Sequence, residues 1–309
     1  VGLWYWCTDQ YIVQRALAAH NLTQARRGTI CAAYMKLLPL FIFIIPGMIA
    51  FALDKSGKLI ENQQVFTDEK SFNQAFPVLV QAILPAGVRG LVVAGLLAAL
   101  MSSLASVFNS SSTLFTIDIY KKLRPQSSEQ HLVWVGRMAT GVMVLLGLAW
   151  IPAMALVSDA LYKYLQSVQA YIAPPIAAVF FLGLFLRRIN GAGCMAGLIG
   201  GFVLGMGRLA AELYNKSYDN ALAGTFLHGF ATVNFLYFCI ILFTVSVLLI
   251  VLVSLLTPPP RAERVKSLTY ATVTTEDRQV SRASWNKWDV VHTCAVLCLI
   301  LVIYWYFTG

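Results

Sequence analysis

Long apolar runs alternate with short polar intervals along the whole chain. Eight such runs stand at residues 1–16, 30–53, 87–117, 133–157, 161–186, 191–213, 231–257 and 288–307. A helix crosses the hydrocarbon core of a bilayer with about 20 largely apolar residues, so each run predicts a membrane span, the first of them short. Residues 87–117 exceed that need, which predicts a tilted or protruding helix. Residues 54–86 carry Pro77 and Pro85 and predict an extramembrane loop with a short helix near 70–83. Residues 258–287 open with three prolines and are rich in Thr, Ser and Arg, which predicts a linker that is disordered or lies along the membrane surface.

Composition agrees with lipid as the solvent. Of 309 residues, 58% are hydrophobic and 12% charged, against about 25% charged in a soluble domain. Mean hydropathy is +0.69. The net charge of +9 does not point to nucleic acid, because the basic residues sit in short clusters between apolar runs. Arg15, Arg26 and Arg27, then Lys121, Lys122, Arg124 and Arg137, then Arg187 and Arg188, then Arg261, Arg264, Lys266, Arg278, Arg282 and Lys287 fall on one side if every run crosses. On the other side, residues 54–86 balance Lys55, Lys58 and Lys70 with Asp54, Glu61, Asp68 and Glu69, and residues 152–162 hold Asp159 and no base. The positive-inside rule makes the first set cytoplasmic and puts the start of the chain and Gly309 outside. Cys7, Cys31, Cys194, Cys239, Cys294 and Cys298 have neither metal spacing nor a disulfide framework and read as small helix-packing residues. The chain opens at Val1 inside an apolar run, and the expectation is a parent protein with a further N-terminal part.

Polar groups in hydrocarbon are costly, so those inside the runs are the functional candidates. Trp4, Tyr5 and Trp6 stand beside Asp9 and Gln10, either as an interfacial aromatic belt or as the wall of a wet cavity. Lys36, near Tyr34, either snorkels to the cytoplasmic surface or donates hydrogen bonds into such a cavity. Ala99, Ser102 and Ser103 share one helix face by their i, i+3, i+4 spacing. That face suits helix packing, or it offers a carbonyl and two hydroxyls as hard oxygen ligands for an alkali cation. Pro174 and Pro175 interrupt an apolar run about two turns after Gln166 and Gln169. They free backbone groups there and predict either a kink or a broken helix of the kind that lines transporter substrate sites. No Ser-His-Asp set, HExxH motif or phosphate loop is present, and GFVLGMG at 201–207 follows no strand, so it reads as a small-residue helix face. The chain is not read as an enzyme.

The stretches WYWCTDQYIVQRALAAHN, AAYMKLLPLFIFIIPGMIA, AALMSSLASVFNSSSTLFTIDIYKKLRP and YLQSVQAYIAPPIAAVFFLGLF resemble the sodium/glucose cotransporter branch of the sodium:solute symporter family. So does GLFLRRINGAGCMAGLIGGFV, with Cys194 where alanine is usual. The resemblance covers most of residues 1–215. It implies an all-α membrane protein with a LeuT-type core of two inverted five-helix repeats, in which this chain begins at the sixth core helix. Residues 1–186 would form the second repeat, 187–257 two additional membrane helices, 258–287 the cytoplasmic linker and 288–309 the C-terminal membrane helix, with the first repeat missing. It further implies that Tyr5 is a gate and sugar contact, Trp6 its gate neighbour, and Lys36 and Gln166 sugar hydrogen-bonding residues. Tyr162 would be an aromatic near the sugar. The Ala99 carbonyl and the Ser102 and Ser103 hydroxyls would bind sodium.

Two positions depart from the family. Gly2 stands where relatives have a polar sugar contact, and Ala105 followed by Ser106 stands where a second sodium site would have threonine, which implies one sodium per sugar. The implied function is sodium-coupled inward symport of a glucose- or galactose-like sugar across the plasma membrane by alternating access. The alternatives are myo-inositol or another polyol as solute, or a sugar sensor or sodium-leak channel on the same fold. The implied partners are the sugar, Na+ as coupling ion with no other cofactor, membrane lipid and the missing repeat, and no nucleic acid.

Overall fold

A computed structural model describes residues 2–60, 65–68, 71–157, 161–218 and 224–307. Glu61, Glu69, Lys70, Asp159, Val1 and Gly309, which carry part of the charge and topology argument, lie outside the described residues. Every regular element among the described residues is helical. Among the described residues, seven helices are long and apolar enough to cross a membrane, against the eight runs read from the sequence.

The difference lies at the N-terminus. Residues 1–16 do not form one span but two short helices, α1 (Gly2–Cys7) and α2 (Gln10–Leu17). The break is chemical. Thr8 turns its hydroxyl back onto the Trp4 carbonyl at 2.9 Å, and the Asp9 carboxylate accepts from the Tyr11 N–H at 3.1 Å as the N-cap of α2. Both side chains offer the backbone an alternative to helical bonding. The helix α3 (Leu22–Pro39) begins earlier than the hydrophobic pattern, because Asn21 caps it through the Gln24 N–H at 2.9 Å. A π-helical stretch at Leu40–Ile44 joins α3 to α4 (Ile45–Lys55). Pro46 explains it, since it cannot donate to the Ile42 carbonyl and its ring crowds that group.

After α4 come α5 (Ala75–Ile83), α6 (Ala86–Thr113) and, beyond a second π stretch at Leu114–Tyr120, the short α7 (Lys121–Leu123). The run from Ala86 to Leu123 is 38 residues, roughly 57 Å of helix at 1.5 Å per residue, longer than a bilayer needs, as the sequence suggests. Then follow α8 (Glu129–Val157), α9 (Leu161–Phe185), α10 (Gly191–Ser217), α11 (Phe226–Thr232) and α12 (Phe235–Leu256). The chain ends with α13 (Ala262–Val265), α14 (Thr275–Ala283) and α15 (Lys287–Phe307).

The chain divides into two compact units, residues 43–164 and residues 1–42 with 165–309. In the 43–164 unit, α4 carries a packed cap. Asp54 is 2% exposed, and its carboxylate accepts the Val65 and Phe66 N–H groups at 2.8 and 3.1 Å. Ala50, Leu59 and Phe66 form the buried centre, with Val78 and Leu79 of α5 against it. The helix read near 70–83 is there as a 3₁₀ turn at Ser71–Gln74 running into α5.

In the other unit, α9, α10 and α12 pack tightly. Pro174 and Pro175 do not break α9, which runs through them. Pro175 leaves the Tyr171 carbonyl without its helical donor. That carbonyl abuts Gly205 so closely that a Cβ there would collide with it, which places it for Cα–H···O contact instead. Gly193, Gly197, Gly201 and Gly205 repeat every four residues along α10 and face Ser254, Ile250, Pro175 and Tyr171 in turn. This seam is what GFVLGMG encodes. Across it, α12 buries Phe238, Leu242, Ser246, Ile250 and Ser254 at the same spacing.

Residues 258–287 are not a structureless linker. Thr274 and Asp277 form a capping box that starts α14, and the Tyr270 N–H donates to the Leu184 carbonyl at 2.9 Å. Thr272 donates to the Val265 carbonyl at 2.7 Å. The capping hydroxyls and carboxylates that make this segment polar are what order it. The six cysteines are free thiols, but Cys7, Cys31, Cys294 and Cys298 are exposed rather than packed between helices.

Candidate functional site

In the unit containing both ends of the chain, α1 and α3 bring together three of the sequence candidates. The Lys36 ammonium stands 5.5 Å from the centre of the Tyr5 ring and 5.8 Å from that of Trp6. Tyr5 and Trp6 meet edge to face, 5.7 Å apart at 90°. The Thr8–Asp9 break sets this corner up, because it ends α1 just past Trp6 and leaves the aromatic side chains free of a continuing helix. Trp6 remains 37% exposed, so the corner is open. A cation over an aromatic face is worth about 0.5–1 kcal/mol at exposed sites and more when water leaves. A hydroxylated ring could stack on the indole and accept hydrogen bonds from the ammonium.

Tyr34 takes no part in this corner. Two residues from Lys36 on α3, it faces another direction, and its hydroxyl lies 3.2 Å from Nδ1 of His292 on α15. It also donates to the His292 carbonyl at 3.3 Å. Gln166 stands on α9, partly exposed, and Gln169 likewise. Tyr162 belongs to the other unit and is 72% exposed.

The cation candidates lie on α6 in the 43–164 unit. Ala99, Ser102 and Ser103 are all exposed. Among the described residues, no side-chain hydrogen bond occupies the Ser102 or Ser103 hydroxyl. The Ser106 hydroxyl, by contrast, donates to the Ser102 carbonyl at 2.9 Å, and the Ser110 hydroxyl donates to the Ser106 carbonyl at 2.8 Å. So α6 presents two uncommitted hydroxyls above a ladder of committed ones. His, Cys, Asp and Glu form no cluster of three suited to a metal among the described residues. A site of neutral oxygens is the kind that would suit Na+ rather than a transition metal.

Sequence reasoning passed over a further intramembrane set on α10. Arg208 is 2% exposed and Tyr171 1%. The Arg208 guanidinium lies 5.2 Å from the Tyr171 ring centre and 4.6 Å from that of Phe238. Its two Nη groups donate to the carbonyls of Phe230 and Val233, which end α11. Tyr171 donates to the Glu212 carboxylate at 2.5 Å. Tyr171, Arg208 and Glu212 line a cavity of about 320 Å³ with Ser167 and Asn215. The signal was available: Arg208 and Glu212 are a charged i, i+4 pair in an apolar run, and an ionisable residue there is a functional candidate by default. The N-terminal end of α10 is tied by Asn190, whose amide donates to the Thr257 hydroxyl at 2.6 Å and the Pro258 carbonyl at 2.8 Å.

The family model for the sodium:solute symporter family matches residues 1–201. The chain is 41% identical to a sodium/mannose cotransporter of Bos taurus, over 99% of this chain and 54% of that protein. It is 42% identical to sodium/glucose cotransporter 1 of Ovis aries, over 84% of this chain and 40% of that protein. It is also 42% identical to sodium/myo-inositol cotransporter 2 of Homo sapiens, over 88% of this chain and 41% of that protein. The chain spans about half the length of the curated relatives it matches. A family match over most of the chain, joined to a set of apolar spanning helices, is decisive: this chain belongs to the sodium:solute symporter family.

Proposed function

We propose that this chain is part of a plasma-membrane symporter that couples the inward movement of one Na+ to that of a sugar or polyol by alternating access. The observation that carries the solute half of the reading is the Lys36 ammonium set against the Tyr5 and Trp6 rings. An ammonium donor over aromatic faces suits an uncharged polyhydroxyl ring, which offers acceptors to one and an apolar face to the other. Gln166 and Tyr162 complete the solute site in this proposal. The α6 hydroxyls of Ser102 and Ser103, with the Ala99 carbonyl, supply the cation half. In the proposed architecture, residues 1–186 are the second repeat of a LeuT-type core, 187–257 two further spans, 258–287 the cytoplasmic linker and 288–309 the last span. Both sites then need a first repeat to complete them.

The coupling is energetically sufficient. One charge crossing about 100 mV contributes about 2.3 kcal/mol, which drives about fifty-fold accumulation before any sodium gradient is counted. The experiment is sodium-dependent uptake and counterflow of labelled glucose in cells expressing the complete transporter that carries this chain. Exchange that requires sodium supports the proposal. Binding without exchange would make the protein a sensor, and sodium current without sugar flux a leak channel.

One observation favours a second solute. Gly2 leaves a polar contact out of the corner beside Tyr5 and Trp6, and the relatives named for mannose, glucose and myo-inositol are about equally similar. Competition of labelled glucose uptake by unlabelled mannose and myo-inositol separates these solutes.

A further inference from the structure

We infer that Ser281 is a phosphorylation site for a basophilic serine kinase and that its phosphate locks the cytoplasmic segment 262–286 onto the start of α3. Two independent features meet at this residue. The first is sequence: Arg278-Gln279-Val280-Ser281-Arg282 places one arginine three residues before the serine and another directly after it, a charge pattern of the kind by which kinases select substrates. The second is geometry: Arg26 of α3 donates from Nη2 to the Ser281 Oγ at 2.8 Å, across 255 residues of sequence. Unmodified, that bond joins a charged donor to a neutral acceptor. A phosphoserine would offer three strong acceptor oxygens and most of two negative charges to the same guanidinium, which can then bind in a bidentate manner.

There is room and access for the change. Arg26 lines an open cleft of about 450 Å³ with Trp285 and Asp289, which leaves its side chain space to turn toward added oxygens. Arg27, the next residue, is half exposed and lies 3.6 Å from Asp289, which adds a second positive charge to the start of α3. The target helix α14 is nine residues long and buries no side chain. A helix of that length is marginal without packing, so it can open locally and present Ser281 as an extended strand to a kinase. The positive-inside argument puts this segment on the cytoplasmic side, where nucleoside triphosphate is available.

The step balances as an ordinary phosphoryl transfer. The Ser281 Oγ attacks the γ-phosphorus of ATP, the bond from that phosphorus to the bridging β-phosphate oxygen breaks, ADP leaves, and the hydroxyl proton passes to the kinase's base. Ser281 lies in the last turn of α14, where the helix dipole disfavours an added negative charge. The paired Arg26 outweighs this, because a direct charge-assisted bond is stronger than a solvent-screened dipole at a helix end.

The test uses the complete transporter that carries this chain, in lipid nanodiscs, treated with the catalytic subunit of cyclic-AMP-dependent kinase and ATP. Mass spectrometry should locate phosphate on Ser281, none should appear there in Ser281→Ala, and Arg278→Gln, an exposed position, should lower incorporation about tenfold. Amide exchange over residues 276–284 should slow by about tenfold on phosphorylation, the size of one charge-assisted pair. Arg26→Gln should remove that protection while leaving incorporation intact. Phosphate appearing at other serines but not at Ser281 would overturn the site. Phosphate at Ser281 with unchanged or faster exchange would overturn the lock. Should Arg26→Gln fail to fold, Arg26→Lys, which keeps the charge but not the fork, should retain incorporation and lose most of the protection.

Discussion

Two sets of serines sit in apolar helices of this protein, and they differ in every measurable respect. Ser246 and Ser254 of α12 are 0% exposed. Ser246 donates to the Leu242 carbonyl at 2.7 Å, and Ser254 meets Asn190. Both face the glycines of α10. Ser102 and Ser103 of α6 are exposed, and their hydroxyls bond to no described side chain or backbone group. The hydropathy of the two helices does not separate the sets, since both pass for membrane spans. Serine on a helix face is therefore found in two states: buried where helices close, with its hydroxyl bonded, as in α12, and exposed with its hydroxyl uncommitted, as at the sodium ligands proposed on α6. Spacing alone cannot tell them apart. The i, i+3, i+4 pattern of Ala99, Ser102 and Ser103 fits both, and only the commitment of the hydroxyl decides.

The largest expected effect lies beside the packed set. Arg208→Gln should destabilise the α9–α10–α12 unit by about 3 kcal/mol, since hydrogen bonds to charged groups are worth about 1.5–3 kcal/mol each and Arg208 makes two to α11 carbonyls. Chemical unfolding in detergent, followed by tryptophan fluorescence, measures it. A loss below 1 kcal/mol would mean the guanidinium is solvated from the cavity rather than carried by those carbonyls.

Gln166→Ala in the complete transporter should weaken sugar binding by about 1–3 kcal/mol, the cost of leaving a polar partner unpaired. Gln169→Ala should do less, since it lies about 300° further round the helix. Sugar-concentration dependence of uptake reads both, and a more severe Gln169 effect would reverse the register assigned to α9.

Ser246→Ala should cost about 1 kcal/mol or less, because the lost hydroxyl leaves behind a Leu242 carbonyl that keeps its helical bond. Thermal unfolding measures it.

The smallest effect concerns the segment 258–287. The Thr274 hydroxyl and N–H bonding to Asp277 hold the Asp277 carboxyl below its ordinary value. A depressed carboxylate contributes stability that is present above its unfolded pKa and lost as pH falls through its lower folded value. Amide protection in α14, taken relative to the intrinsic exchange rate at each pH, should therefore be flat from neutrality down to about pH 4 and fall below it, and Asp277→Asn should remove the dependence.

Much of the fold was legible because lipid imposes simple rules. Seven of the eight apolar runs became spanning helices. The eighth was misread because hydropathy averages over Thr8 and Asp9, whereas helix continuity depends on what those two side chains do to the Trp4 carbonyl and the Tyr11 N–H. The proline pair at 174–175 misled in the opposite direction: a freed carbonyl needs a neighbour, and Gly205, 30 residues on, supplies it without breaking α9. The order in residues 258–287 was invisible to composition, because a capping box and threonine turns are positional, not compositional. Of the candidate residues, Lys36, Tyr5 and Trp6 were found together, while Arg208 was passed over although its i, i+4 pairing with Glu212 in an apolar run marked it; only its backbone-carbonyl partners were beyond any sequence pattern.

The central proposal is that the α6 hydroxyls are ligands, whereas the α12 hydroxyls are packing. The most direct measurement is sodium activation of sugar uptake in the complete transporter carrying Ser103→Ala, set beside Ser246→Ala. Removing one oxygen from a hard-cation site leaves too few ligands, so Ser103→Ala should raise the sodium concentration for half activation at least tenfold while sugar affinity at saturating sodium changes little, and Ser246→Ala should leave sodium activation unchanged. Equal sodium activation in Ser103→Ala and the parent, or a shift of the same size in Ser246→Ala, would contradict it.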